Sequence, residues 1–348
     1  MTINKLPGPW RITFDTNPDD CNILCIMCER YNNFKKKSST NEKIRMDSLL
    51  IEEVVEQGFQ LGELKEIIPS TMGEPLLYDY FDKFIELCEK YNLYLNLTTN
   101  GTFPKKPIED WANLLLPICS DIKISWNGFT KETDEKIMHG KNHDLAKDNL
   151  IELLRIRDEL RRNGKKCSSI TLQLTFMEMN YQEIPDIVEM AIDYGIDRVK
   201  GHHIWIHNKE AEKWSMRRNK DSINRWNDVS NKTQNLVNNI KMETGKSIKI
   251  ENIYPLSDKK PNSLLLNSVC PFLGREAWVA ANGNFNPCCA PDDLRRNLGN
   301  FGNLHNSSLK EIWNSSEYNE LCKSYEKNIL CKRCNMRKNS KDVYKYGY

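Results

Sequence analysis

The chain has 348 residues, 39% of them hydrophobic and 28% charged, with 50 basic side chains against 48 acidic ones. That composition suits a folded globular protein and excludes disordered and fibrous classes. The net charge of +2 makes no case for nucleic acid, no apolar run approaches the roughly twenty residues of a membrane span, and MTINKLPGPW lacks the apolar core of a signal peptide, so a cytoplasmic location is expected.

From residue 9 to about 205, short apolar runs alternate with longer amphipathic ones. WRITFD (10–15), KEIIPS (65–70), LYLNLTT (93–99), DIKISW (121–126), SITLQLTF (169–176) and DRVKGHHIW (197–205) read as strands. Between them SLLIEEVVEQGFQ, capped by Asp47, YDYFDKFIELCEKY, and IPDIVEMAIDYG, ending on Gly195, read as helices. Six units in alternation predict a parallel sheet, open or closed into part of a barrel, with functional groups at the carboxyl ends of its strands. Residues 206 to about 260 turn polar and rich in Asn and Lys, which predicts a weakly helical bridge; KKKSST at 35–40 reads as a solvated loop. From Leu264 the chain becomes cysteine-bearing and short-stranded, and AWVAANGNFNPCC predicts a hairpin turning at Asn282-Gly283. The expected division is therefore 1–210, a bridge at 211–260, and a small α+β domain at 261–348.

Seven of the twelve cysteines fall into two groups, and in a reducing compartment such clustering points to metal or catalysis rather than disulfides. Cys21, Cys25 and Cys28 form Cys-x3-Cys-x2-Cys in a polar loop with Asn22, Glu29, Arg30 and Asn32, directly after the first strand. A four-iron cluster normally takes four thiolates, so three leave one iron open, as a catalytic rather than a structural site requires. Reduced core cysteines, or a zinc site completed by a distant histidine, are the alternatives. The rear group, Cys270, Cys288, Cys331 and Cys334, offers a closed set of four and ends in a Cys-x2-Cys pair. Either Cys289 or Cys322 could replace one of its members, and a structural zinc is the competing occupant.

The front motif, placed after the first strand of six alternating units, resembles the radical S-adenosylmethionine superfamily. The resemblance implies a partial (β/α)6 TIM-like barrel and a 4Fe–4S cluster whose open iron takes the amine and carboxylate of S-adenosylmethionine, which is then cleaved to a 5′-deoxyadenosyl radical that abstracts a substrate hydrogen. It implies further site residues at the strand ends. Met72-Gly73-Glu74-Pro75 stands where the family has Gly-Gly-Glu, with Glu74 opposite the methionyl amine and Met72 replacing the first glycine. Asn100 in Thr99-Asn100-Gly101, and Ser125 and Asn127 at the end of the fourth strand, lie where the family places groups near the ribose and carboxylate. Met27 takes the place of an aromatic residue over the adenine. His202 and His203 end the sixth strand, and because side chains alternate, one of the two is expected to point inward as a ligand or proton-transfer group.

Behind them, CPFLGREAWVAANGNFNPCC, GNFGNLHNSSLKEIWNSSEY and CKRC resemble the auxiliary-cluster extensions called SPASM and, in shortened form, Twitch. The absence of thiols after Cys334 favours Twitch, with one further 4Fe–4S cluster. By resemblance, the first expectation is an oxidoreductase that dehydrogenates a polar, carbohydrate- or aminocyclitol-like small molecule through the rear cluster, reduced by a partner such as flavodoxin or ferredoxin. An epimerase, with Cys119 or Cys289 returning a hydrogen, is a close variant. Modification of a peptide ranks third, because twenty residues before Cys21 leave no room for a peptide-recognition domain; Trp214, Arg217, Arg218 and Trp226 of the bridge are the candidates to bind a peptide or sugar. From another class, an iron–sulfur electron carrier has no use for an open iron.

Overall fold

The computed structural model describes residues 6–28, 43–206, 209–257, 268–290 and 292–339, apart from 333 and 335. The Lys-rich run at 35–40, the loop residues Glu29, Arg30 and Asn32, Leu264 and the expected boundary at 261 lie outside them.

One sheet joins nine strands: β1 (Arg11–Phe14), β2 (Glu66–Ile68), β3 (Tyr94–Thr99), β4 (Cys119–Ser125), β5 (Ser169–Phe176), β6 (Arg198–His203), β7 (Lys249–Glu251), β8 (Glu276–Val279) and β9 (Phe285–Asn286). Their order is β9-β8-β1-β2-β3-β4-β5-β6-β7, and every neighbouring pair is parallel except β8 and β9. The six strands expected from the sequence are β1 to β6. Parallel neighbours need crossovers, and α1 (Ser48–Gln60), α2 (Asp82–Tyr91), α3 (Ile108–Leu115), α4 (Lys131–Ile137), α5 (His143–Arg162) and α6 (Ile184–Asp193) lie in them. Asp47 caps α1 by accepting from the Leu49 amide at 3.0 Å, as expected.

Alternation divides the strand residues between two faces. Ile12, Ile67, Leu97, Ile124, Leu172 and Val199 are wholly buried in the core that the helices cover. The opposite face is polar: Arg11 donates to Glu66 at 2.6 Å and to Glu276 at 3.0 Å, Asn96 donates to Glu66 at 3.1 Å, and Arg198 pairs with Asp121. The sheet ends in two edges, so the barrel is partial and this polar face lines its lumen.

Both edges differ from expectation. The bridge contains a 25-residue helix, α7 (Lys220–Thr244), capped by Asn219 and ended by Gly245, followed by β7, which extends the sheet beside β6. Trp226 of α7 is fully buried, donates its indole N–H to the Tyr254 carbonyl at 2.9 Å, and is core rather than a binding surface. At the other edge β8 pairs in register with β1, Arg11 opposite Glu276, so the C-terminal segment continues the barrel sheet. The hairpin turns at Gly283, with φ +82°, as its sequence predicted. Among the described residues no helix is long and apolar enough to cross a membrane.

Candidate active site

The front cysteines sit where β1 ends, clamped from two sides. Leu24 and Cys25 pair antiparallel with His139 and Met138, and the Ile26 amide donates to the Ile137 carbonyl at 3.0 Å. From the other side the loop after β2 presses on Asn17 and Asp20: the Glu74 amide donates to the Asp20 carbonyl and Asn17 Nδ2 to the Glu74 carbonyl, each at 2.8 Å. Gly73 makes this approach possible. Its φ is +76°, and a Cβ there would stand 2.2 Å from the Asn17 carbonyl oxygen and 2.7 Å from that of Asp20. Met72 has no positive φ, so the missing first glycine of the family pattern carries no backbone penalty here.

These loops enclose a cavity at the carboxyl ends of β2, β3 and β4. Cys21, Cys25 and Cys28 line it together with Glu74, Asn100 and Ser125, and Met27 also reaches it. Glu74 is 1% exposed; its carboxylate accepts from Thr99 Oγ1 and the Asn100 amide at 2.8 Å each, and from the Leu76 amide at 3.3 Å. Burial pushes its pKa up to about 7, against the pull of those three donors. Asn100 Nδ2 reaches back to Asn22 Oδ1 at 2.8 Å and approaches Cys21 Sγ at 3.8 Å, so the TNG turn braces the cysteine loop.

Other expected positions fall elsewhere. Asn127 is buried but spent on structure: its amide N–H donates to Asp134 at 3.0 Å and its Oδ1 accepts from the Thr175 amide at 2.8 Å, which ties β4 to β5 outside the cavity lining. Cys119 is buried at the first residue of β4, the end opposite the cavity, where it cannot return a hydrogen to a substrate at Ser125. His203 faces the helices, its ring 4.6 Å from Trp226 and 5.5 Å from Phe176. Burial, with Arg217 and His202 adding to it, draws its pKa down to about 3, and the ring is neutral. His202 lies on the polar face, exposed, with Nδ1 3.3 Å from Gln173 Nε2. Of the bridge residues, Arg218 pairs with Glu178 at 2.9 Å, and Trp214, like Met27, packs against the apolar cluster of Met138, Met177 and Ile204. Sequence reading missed Asn22, and it missed a buried group behind Ser125 formed by Asp134, Lys141 and His143.

The rear cysteines converge from three separate segments, at 270, 288 and 331–334. Burial first, then the nearness of Cys270, Cys288 and Cys334, pushes the Cys331 thiol up to about 12. Cys270 is likewise raised to about 11 by burial, with Cys288 and Cys334 contributing. Cys289 stands near the same thiols and beside Glu276, while Cys322 accepts the Tyr318 hydroxyl. Among the described residues no three of His, Cys, Asp and Glu are placed to share one metal ion, whereas a cluster spreads its thiolates over separate corners. Grouped thiols sharing one cavity with a buried acid, a side-chain amide and hydroxyls fit a cluster with an amino-acid cofactor at the front; at the rear the thiols group among themselves, with the Leu273 amide donating to Cys270 Sγ at 3.4 Å, and fit a cluster.

Residues 18–191, half of the chain, match the family model described as the radical SAM superfamily, and residues 270–335 match that of SPASM, an iron–sulfur cluster-binding domain, as expected from the rear cysteines and their surroundings. The chain is 23% identical over 317 residues to the PqqA peptide cyclase of Gluconobacter oxydans, covering 89% of this chain and 78% of that protein. It is 23% identical over 188 residues to the tungsten-containing aldehyde ferredoxin oxidoreductase cofactor-modifying protein of Pyrococcus furiosus, covering 51% of this chain and only about half, 47%, of that relative. Streptococcus suis SuiB, solved bound to S-adenosylmethionine, superposes with a TM-score of 0.64 at 18% identity, over 96% of this chain and 72% of that one. The protein anSMEcpe, solved with bound AdoMet, gives 0.62 at 17% identity, over 94% of this chain and 83% of that one. The chain therefore belongs to the radical S-adenosylmethionine superfamily, with a C-terminal cluster-binding domain of the SPASM type, and its cofactors are S-adenosylmethionine, a 4Fe–4S cluster and an auxiliary cluster.

Proposed function

We propose that this enzyme modifies a peptide. The carrying observation is the alignment with a peptide cyclase along 89% of the chain, through both the barrel and the rear domain. SuiB has also been solved with its precursor peptide SuiA, and anSMEcpe with peptides, and this chain shares their fold over nine-tenths of its length. The small carbohydrate-like substrate expected from the sequence gains no such support, and the name oxidoreductase gives way to radical SAM enzyme of unassigned reaction. A flavodoxin or ferredoxin remains the class of reductant proposed.

In this reading Cys21, Cys25 and Cys28 hold the front cluster, and Cys270, Cys288, Cys331 and Cys334 hold the auxiliary one. When bound, the front cluster and S-adenosylmethionine together supply the radical that abstracts a substrate hydrogen. The protein's own part is placement. Glu74 presents a buried carboxylate to the cofactor's ammonium, and its three donors fix the direction in which the oxygens point. Asn100 holds the cysteine loop through Asn22, and Ser125 offers its hydroxyl at the cavity wall. Arg11, Glu66 and Glu276 pair at the opposite, amino-terminal ends of the strands, where they close the floor of the barrel beneath the site.

The test is anaerobic incubation of the reconstituted protein with dithionite and S-adenosylmethionine, with synthetic peptide pools in one set and sugars and aminocyclitols in the other. Peptide-dependent release of 5′-deoxyadenosine together with a mass change in a peptide is expected. Turnover confined to the small molecules would overturn the proposal, and no turnover with either set would leave the carrier reading standing instead.

A further inference from the structure

Lys141 carries charge where charge is costly, and nothing above uses it. Its side chain and that of Asp134 are both 0% exposed and lie 2.9 Å apart. The ammonium also donates to the Ser125 carbonyl at 3.0 Å, meets Met138 Sδ at 3.6 Å and sits 4.5 Å from the centre of the Trp126 ring. Asp134 is held in turn by the Asn127 amide and by His143 Nδ1, each at 3.0 Å. Burial alone would raise the Asp134 carboxyl, but His143 and Lys141 outweigh it and keep it below the usual range, so Asp134 stays a carboxylate. A buried ion pair is a poor source of stability, because desolvation cancels most of the attraction.

Its position points to another use. Met138, which touches the ammonium, is the ladder partner of Cys25, and Ser125 lines the cavity from the other side. Lys141 itself does not line the cavity, so it acts there through its field and not by contact. The ammonium's contacts, Met138 and the Ser125 carbonyl, belong to residues that line the cavity, whereas the carboxylate's other partners, Asn127 and His143, do not, so the positive end of the pair is turned toward the cysteines.

We infer that the Lys141–Asp134 pair tunes the front cluster, its ammonium favouring the reduced state and so raising the cluster's reduction potential. The inference rests on Cys21, Cys25 and Cys28 being the ligands. One-electron reduction adds one negative charge near Cys25, and a fixed cation in a dry surrounding stabilises that charge; nearby charge and burial are established levers on cluster potentials.

The test is a dithionite titration of the reconstituted protein followed by electron paramagnetic resonance, without S-adenosylmethionine, reading the signal that Cys25→Ala removes. Lys141→Met should lower the reduced-to-oxidised ratio at a fixed potential about tenfold, which is about 59 mV for a one-electron couple. Asp134→Asn, which keeps the ammonium, should shift the midpoint upward, and Lys141→Arg should leave it near wild type. Lys141→Met with full iron and an unmoved midpoint overturns the inference, as does loss of the cluster from both Lys141→Met and Asp134→Asn, which would make the pair structural. If wild type itself shows no Cys25-dependent signal, the ligand assignment fails instead.

Discussion

The two cysteine sites use the same ligand chemistry with opposite surroundings. The front three come from eight consecutive residues and share a cavity with a buried carboxylate, Glu74, an amide, Asn100, and two serines, Ser70 and Ser125. At the rear, thiols from segments 270, 288 and 331–334 meet beside a knot of aromatic rings, with Phe285 5.2 Å from Tyr318 and Tyr318 5.1 Å from Trp313. A site that receives an amino-acid cofactor must keep polar groups free around it, whereas a site that holds only a cluster can be packed shut. Local sequence therefore specifies the first, and long-range packing the second.

The largest test separates the two sites outright. Cys25→Ala should abolish 5′-deoxyadenosine formation, whereas Cys331→Ala should keep the front cluster and cofactor cleavage while product formation stops; loss of both activities in both variants would break the contrast. Within the rear site, wild type should carry about eight irons as two four-iron clusters. Ser replacement at Cys270, Cys288, Cys331 or Cys334 should lower that to about four, and replacement at Cys289 or Cys322 should not. If Cys289→Ser loses the iron and Cys288→Ser keeps it, the assignment exchanges those two neighbours.

Next comes the backbone contact on which the front cavity depends. Gly73→Ala places a Cβ 2.2 Å from a backbone oxygen at a φ of +76°, and should cost about 1–3 kcal/mol or more in thermal unfolding, along with cofactor binding.

Glu74 gives the front site a pH signature, read by difference from Glu276 beside Cys289, whose carboxyl burial also raises to about 7. The folded pKa of Glu74, about 7, lies above the ordinary value of 4.5, so the folded protein binds the extra proton between those values. Apoprotein stability should therefore fall as pH rises from about 4.5 to about 7, by on the order of 3 kcal/mol, and Glu74→Gln should flatten that part of the slope. Cofactor binding, which needs the carboxylate, should strengthen across the same window in wild type, and at neutral pH Glu74→Gln should weaken it about tenfold or more. The smallest effect is expected at Asn100→Ala. Losing the bond to Asn22 should cost about 1 kcal/mol and make the front iron more easily chelated, with the rear iron unaffected.

Much of the barrel was legible in the chain because its strands alternate an apolar face with a polar one. Ile122 and Ile124 pack under the helices while Asp121 and Lys123 face the lumen, and a period of two announces that arrangement before any contact is known. The bridge was harder to read. Its helix α7 is polar along most of its length, and the stripe that docks it, Trp226, Ser230 and Thr233, is short and only partly apolar. The pairing of β8 with β1 joins residues 265 positions apart, Arg11 and Glu276, and no local pattern reports it.

By itself the sequence determined the three-thiol spacing, the acid that follows β2 and the six alternating units, because each is a local pattern with a local cause. Tertiary structure decided the rest. Strand register chose which histidine faces the lumen: His202 opposes Thr175 on the polar face, and His203 opposes Phe176 on the helix side. Strand direction placed Cys119 at the wrong end of β4, although its residue type suited a hydrogen donor. Burial joined Lys141 to Asp134 and drew both behind Cys25, since two charges seven positions apart become partners only when the fold removes the water between them.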